Sequence, residues 1–397
     1  MAEPIEKKDN GWIVSEELLQ RFHERAPEYD RENRFCQEDF DELKETGFLK
    51  MAIPSDMGGH GMTLHQTCQE TRRLAYWAPA TALCVNMHTY WCGVARTIHD
   101  SGDDSLDWLL EEAANGEVFA AGHAESGNTL PLLTSTTEAV PVDGGYKFTG
   151  RKGFGSLTPV WTRLGLHGQD NSDPENPKIV HAFMPRDTDG YSIKETWDVL
   201  GMRATRSDDT IFDGTFIPNE RIARVVPAGA GGADLFVLGI FAWALAAFGN
   251  VYYGLARRIT DLTIEALQKK TGTGLTRTAA YHPENQHTVA EMVLDLESIE
   301  AQLDRLTTEW SEGVDHGGMW VLKIVATKYN AVEAAWRVAD NAMEASGGFG
   351  MFKKSELERL YRDCRAGRFH PANSSLTHEI VSKISLGIDL DEQPRWG

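Results

Sequence analysis

Polar and apolar residues recur with a helical period over roughly the first 115 positions. Leu18, Leu19 and Phe22 share one face, with Ser15 placed to cap the helix and Glu17 supporting its first turn. Glu38 to Thr46 repeats the pattern and stops at Gly47; Met57-Gly58-Gly59-His60-Gly61 is a turn-rich break. Thr63 to Trp77, Thr81 to His99 and Leu106 to Ala114 are further helical runs. After Gly116 the period falls to two. Thr134 to Val142 and Tyr146 to Lys152 alternate around Asp143-Gly144-Gly145, a hairpin signal, and Lys178 to Met184 and Thr210 to Ile217 also predict strands. These predict about 110 residues of antiparallel β structure, ending near Pro218. Pro227 to Gly232 reads as a connection, and Leu235–Leu267, Asn285–Glu312 and Val321–Ser346 predict long helices. The expected organisation is α+β: an N-terminal helical domain (1–115), a β domain (116–226) and a C-terminal helical bundle (227–397).

One apolar stretch bears on location. Leu235 to Gly249 carries no charge, and Asn250 ends it short of the roughly 20 residues a bilayer span needs. It predicts a helix buried in a bundle core or subunit interface. Residues 1–8 lack the basic-then-apolar pattern of a signal peptide. Five cysteines with no CxxC spacing point to a reduced, cytoplasmic protein without a cysteine-based metal site, and no metal site is expected. The formal charge of -20 opposes nucleic acid and anionic membranes as partners.

Candidate chemistry sits mostly in the last third. Gly347-Gly348-Phe349-Gly350 follows a helical run, then come Glu358-Arg359, Tyr361-Arg362-Asp363 and Phe369-His370-Pro371. Glycines there let a ligand or a second subunit come close. Upstream lie Glu125-Ser126-Gly127, Gly153-Phe154-Gly155-Ser156 and Gly201-Met202-Arg203-Ala204-Thr205-Arg206-Ser207.

In order and spacing these segments resemble the acyl-CoA dehydrogenase superfamily of flavoproteins, over nearly the whole chain. That resemblance implies a helical domain, a β-barrel and a four-helix bundle. It implies a flavin, FAD or FMN, with Phe154, Ser156, Glu125, Gly127, Arg203, Gly347, Gly348 and Gly350 as its binding residues, and a tetramer or dimer. Departures are as informative. The family's Arg-x-x-Phe-Gly is replaced by Gln268-Lys269-Lys270-Thr271-Gly272, and Glu344 stands for a Gln before the glycine pair. Both changes weaken the case for tightly held FAD and leave room for FMN or for flavin supplied reduced by a partner reductase.

The dehydrogenase base is a Glu. Its counterpart here is Pro371 without gaps, Ser375 with one, or Phe236 by the alternative placement on the first bundle helix. What stands nearby is His370. The superfamily's flavin-dependent monooxygenases carry a His at a similar offset, where it helps form or protonate the C4a-peroxyflavin. An imidazole titrates near neutrality and suits that task. Some of them also carry a His in the N-terminal domain, matched here by His88. The expectation is an oxygenase using reduced flavin and O2 on a small-molecule or acyl-thioester substrate, with His370, His88 and Ser375 as candidate catalytic residues. Two alternatives stay open: an acyl-CoA or acyl-carrier dehydrogenase with an atypical base, and a non-catalytic flavoprotein.

Overall fold

Helix starts and stops are written locally. Ser15 accepts the backbone N–H of Leu18 and opens α1 (Glu16–Glu32); Gly47, at φ 82°, ends α2 (Gln37–Thr46). The computed structural model describes residues 11–230, 233–274 and 276–392. The N-terminal segment read for a leader, and part of the Pro227–Gly232 connection, lie outside the described residues. A reciprocal Thr63/Gln66 capping box starts α3 (Leu64–Trp77), followed by α4 (Pro79–Asp100) and α5 (Asp107–Ala114).

Among the described residues eight strands follow: β1 (Phe119–Gly122), β2 (Glu138–Val142), β3 (Gly145–Gly155), β4 (Arg163–Asp170), β5 (Lys178–Pro185), β6 (Tyr191–Lys194), β7 (Asp208–Pro218) and β8 (Ile222–Pro227). They form one sheet ordered β6-β7-β3-β2-β4-β5-β8, with β1 added on β4. The predicted hairpin is β2–β3, whose Val142 pairs Gly145 across a turn containing Gly144 at φ 80°. The sheet is not purely antiparallel: β1–β4 and β2–β4 are parallel. It also runs past Pro218, because β8 returns along β5.

The C-terminal part holds α6 (Leu235–Lys269), α7 (Pro283–Ser311), α8 (Met319–Ser346), α9 (Glu356–Arg365) and α10 (Ser374–Leu386). α6 is the one described helix long and apolar enough to cross a membrane, but 89% of its apolar window is buried inside the protein. It packs against α3, α4, α7 and α8. Asn250 does not interrupt it. Its side chain accepts Arg72 Nε at 2.9 Å and donates to the Ala246 carbonyl, so the polar group is satisfied within the core. All five cysteines are buried and free.

Candidate functional site

Six non-glycine residues among those described have positive φ, and four of them fall in two segments: Phe154 and Leu157, Met202 and Arg206. Strained backbone concentrates where surrounding structure over-determines it. The two segments meet. Leu157 N–H donates to the Thr205 carbonyl at 3.3 Å, and the Ser156 and Ser207 hydroxyls lie 2.7 Å apart. Thr205 Oγ1 is 2.7 Å from Ser207 and donates to the Met202 carbonyl at 2.9 Å. Each hydroxyl has one proton, so the chain runs Ser156 to Ser207 to Thr205 to Met202. Ser156, at its head, keeps free acceptor capacity. Phe154 stands beside it, 61% exposed, its ring edge-on to Trp197.

The same turn binds the C-terminal bundle. Met202 N–H donates to Asp363 at 2.5 Å, and Arg362 ion-pairs with Asp30 and Glu358. Arg203 is committed here: Nε donates to the Asp30 carbonyl and Nη1 to that of Val199. Its guanidinium therefore ties α1 to the β-domain turn through Nε and Nη1.

Glu125 is likewise spent internally. Its side chain is fully buried, 2.5 Å from the Lys152 ammonium, and accepts from Ser135, Asn128 and the backbone of Thr136 and Thr137. Burial alone would raise this carboxyl, but Lys152 and the hydrogen bonds outweigh it and hold it at about 2. Its side chain has nothing left for a cofactor. Gly127 is exposed at φ 81° beside it. His123, His167 and His181 pack nearby, each pushed down by burial. Both His181 nitrogens lack a partner.

His88 is buried with both ring nitrogens taken: Nε2 lies 2.9 Å from the Leu49 carbonyl, and Nδ1 accepts Phe119 N–H at 3.1 Å. Burial lowers it to about 4. It fastens α4 to the start of the sheet and offers no nitrogen to a substrate, which corrects its catalytic assignment. Ser375 is exposed in the first turn of α10. Phe236 is fully buried against Trp91 and His181.

His370 follows α9. Its Nε2 lies 2.8 Å from the Tyr252 hydroxyl, and its ring stacks on Phe248 at 4.8 Å and 16°. The Lys328 ammonium donates to the carbonyls of His370 at 2.9 Å, Ala372 at 3.0 Å and Gly367 at 3.4 Å. Burial first, then Lys328, lowers His370 to about 3. Sequence reasoning missed Tyr252, Lys328 and Lys152. A trace existed for Lys328, which is a lone cation on a helix face otherwise built of Ile324, Val325, Ala331 and Val332.

Gly347 (φ 65°) and Gly348 face open space, whereas a Cβ on Gly350 would meet Ser346 Oγ at 2.1 Å. Beside them a cavity of 470 Å³ is lined by Leu262, Lys270, Thr271, Phe349, Ser355 and Glu356.

Residues 14–117 match the acyl-CoA dehydrogenase N-terminal domain family, and residues 246–375 the acyl-CoA dehydrogenase C-terminal domain family. Over 370 residues the chain is 24% identical to the putative acyl-CoA dehydrogenase YdbM of Bacillus subtilis (strain 168), covering 92% of this chain and 94% of that protein. Over 395 residues it is 25% identical to the amino sugar nitrososynthase DnmZ of Streptomyces peucetius, covering 94% and 92%. The solved structure of KijD3 with FMN and a dTDP-linked amino keto sugar superposes with a TM-score of 0.80 at 24% identity, covering 95% and 93%. The strand and helix order, both end domains and full-length relatives agree: the chain belongs to the acyl-CoA dehydrogenase superfamily.

Proposed function

We propose that this protein is a flavin-dependent oxygenase, using reduced flavin and O2 on a small-molecule substrate. The observation that carries this reading is the segment after α9. From Ala366 to Asn373 it holds no carboxylate, and its one titratable group besides Arg368 is His370. Arg368 is tied to Glu333. An acyl-CoA dehydrogenase needs an anionic base at the substrate carbon. Phe236 and the exposed Ser375 do not supply one. The nitrososynthase DnmZ and the FMN complex of KijD3 support the same branch.

The residues present fit a flavin. Phe154 offers an exposed ring, the free acceptor capacity of Ser156 suits an N–H of a reduced isoalloxazine, and Gly347 and Gly348 leave an open backbone face. Lys270 lines the adjoining cavity as a point charge. A bound flavin supplies the electrons that O2 accepts. The protein's own part is to orient the ring at Phe154 and Ser156, to exclude water, and to present His370.

FMN is favoured over FAD, because Glu344 near the glycine turn repels a pyrophosphate and the family's Arg-x-x-Phe-Gly is replaced by Gln268-Lys269-Lys270-Thr271-Gly272. A separate reductase supplies reduced flavin, and the protein assembles as a tetramer or dimer through the Phe349–Phe352 surface, where Phe349 is 78% and Met351 73% exposed. The protein is cytoplasmic, consistent with five buried free thiols.

Stopped-flow mixing of photoreduced FMN–protein with O2 tests the proposal. A lag before oxidised-flavin absorbance returns, longer than for free FMN, is expected. Anaerobic bleaching of the protein's flavin by butyryl-CoA would assign it instead to the dehydrogenases.

A further inference from the structure

We infer that Tyr252 locks His370 in the tautomer protonated on Nδ1, so that His370 acts as a neutral hydrogen-bond donor rather than as an acid, with Tyr252 its positioning residue. The inference rests on the oxygenase reading only for what Nδ1 donates to, an oxygen acceptor of the bound flavin or its substrate.

Proton counting carries the argument. Tyr252 is fully buried, and among the described residues its hydroxyl has one partner, His370 Nε2 at 2.8 Å. If Nε2 carried the proton, the hydroxyl would accept it and leave its own O–H buried without an acceptor, which is costly. If the hydroxyl donates, Nε2 is the acceptor, the fully buried phenol is satisfied, and the one proton left without a protein partner lies on the imidazole, which is partly open to solvent. The imidazole proton then sits on Nδ1, since Nε2 makes the one ring hydrogen bond of His370 among the described residues. The phenol thus dictates which nitrogen is the working end.

The surroundings remove the other options. An imidazolium at His370 would sit beside the Lys328 ammonium in a site that is only partly open to solvent. A relay, with Nδ1 giving its proton and Nε2 refilling from Tyr252, would leave a phenolate. Burial, Cys364 and Asp363 all oppose that anion. Phe248 fixes the ring plane, and the three donors of Lys328 match the carbonyls of Gly367, His370 and Ala372. Backbone, ring plane and tautomer are each held by a different residue, so the Nδ1–H vector is preorganised.

The test is 15N NMR of the full-length protein labelled at histidine, with the His370 signals assigned by their loss in His370→Asn. In the wild type, Nδ1 should show a protonated, pyrrole-type shift and Nε2 a bare, pyridine-type shift, unchanged from pH 8 to pH 5. In Tyr252→Phe the tautomers should redistribute toward the Nε2–H form, and the lag before flavin re-oxidation should shorten about tenfold, the equivalent of losing one hydrogen bond worth about 1.4 kcal/mol. A wild-type Nε2–H form or an imidazolium at pH 7 would overturn the inference, as would an unchanged tautomer or lag in Tyr252→Phe. If the wild type shows no lag at all, the oxygenase reading fails, and the NMR result still decides the tautomer by itself.

Discussion

The Asp363 carboxylate on α9 accepts the backbone N–H of Met202 at 2.5 Å, across 161 positions of sequence. This bond joins the C-terminal bundle to the turn that carries the hydroxyl chain ending at Ser156. Gly201 makes the approach feasible, since a Cβ there would lie 2.2 Å from the Arg362 carbonyl oxygen. The carbonyl oxygen is backbone and a Cβ is fixed on its Cα, so neither can rotate away. Gly201→Ala is expected to destabilise the protein by several kcal/mol, in the manner of overpacking, and to weaken FMN binding. Thermal unfolding and flavin fluorescence titration check it; an unchanged Tm would show that the junction yields.

The glycine turn separates two demands. Gly350 is needed by this chain itself, because its Cβ would strike Ser346 Oγ and Met343 Sδ. Gly348 has nothing within 4 Å. Gly350→Ala should lower Tm. Gly348→Val should leave the unfolding of the chain nearly unchanged and reduce flavin occupancy or oligomer mass. Light scattering and released-flavin absorbance read the second outcome, and no change in either would remove the turn from the site.

Lys152 is 1% exposed and pairs with an equally hidden Glu125. Removing one partner leaves an uncompensated buried charge, which costs about 3–5 kcal/mol. Lys152→Met should unfold readily in urea, and Lys152→Met with Glu125→Leu should recover much of the loss. Additive losses in the double variant would mean that the backbone bonds to Glu125, not the ion pair, matter most.

Acid should loosen the protein. His88, His181 and His370 are held at about 4, 3 and 3 by burial, below the ordinary 6.5, and His123 and His167 lie well below it. Between pH 6.5 and those values the unfolded chain binds protons that the folded chain refuses, so stability falls as pH falls. Asp39 and Asp363, raised by burial to about 7 and 6, work in the opposite direction but are fewer. Tm should drop from pH 7 to pH 5. His181→Leu removes a ring with no hydrogen bond, so it should flatten that slope at little cost at pH 7. An unaltered slope would shift the acid response to the other histidines.

The sequence by itself determined the helices, their caps and the β2–β3 hairpin, because Ser15, Gly47, Thr63 and Gly144 act on their own neighbours in the chain. It also placed helical regions either side of a β region. It left out β1, β4, β6 and β8. β1 and β6 are only four residues long, and β4 and β5 are buried on both faces, so no alternation marks β4. Tertiary structure alone decided the work of each polar side chain. His88 and His370 are both histidines among aromatics, yet backbone groups occupy both nitrogens of one and a single phenol occupies one nitrogen of the other. Glu125 is paired with Lys152, and Arg203 gives its Nε–H to the Asp30 carbonyl. Hydrogen-bond capacity is finite, and partners 27 to 173 residues away along the chain spend it, which no local pattern can reveal.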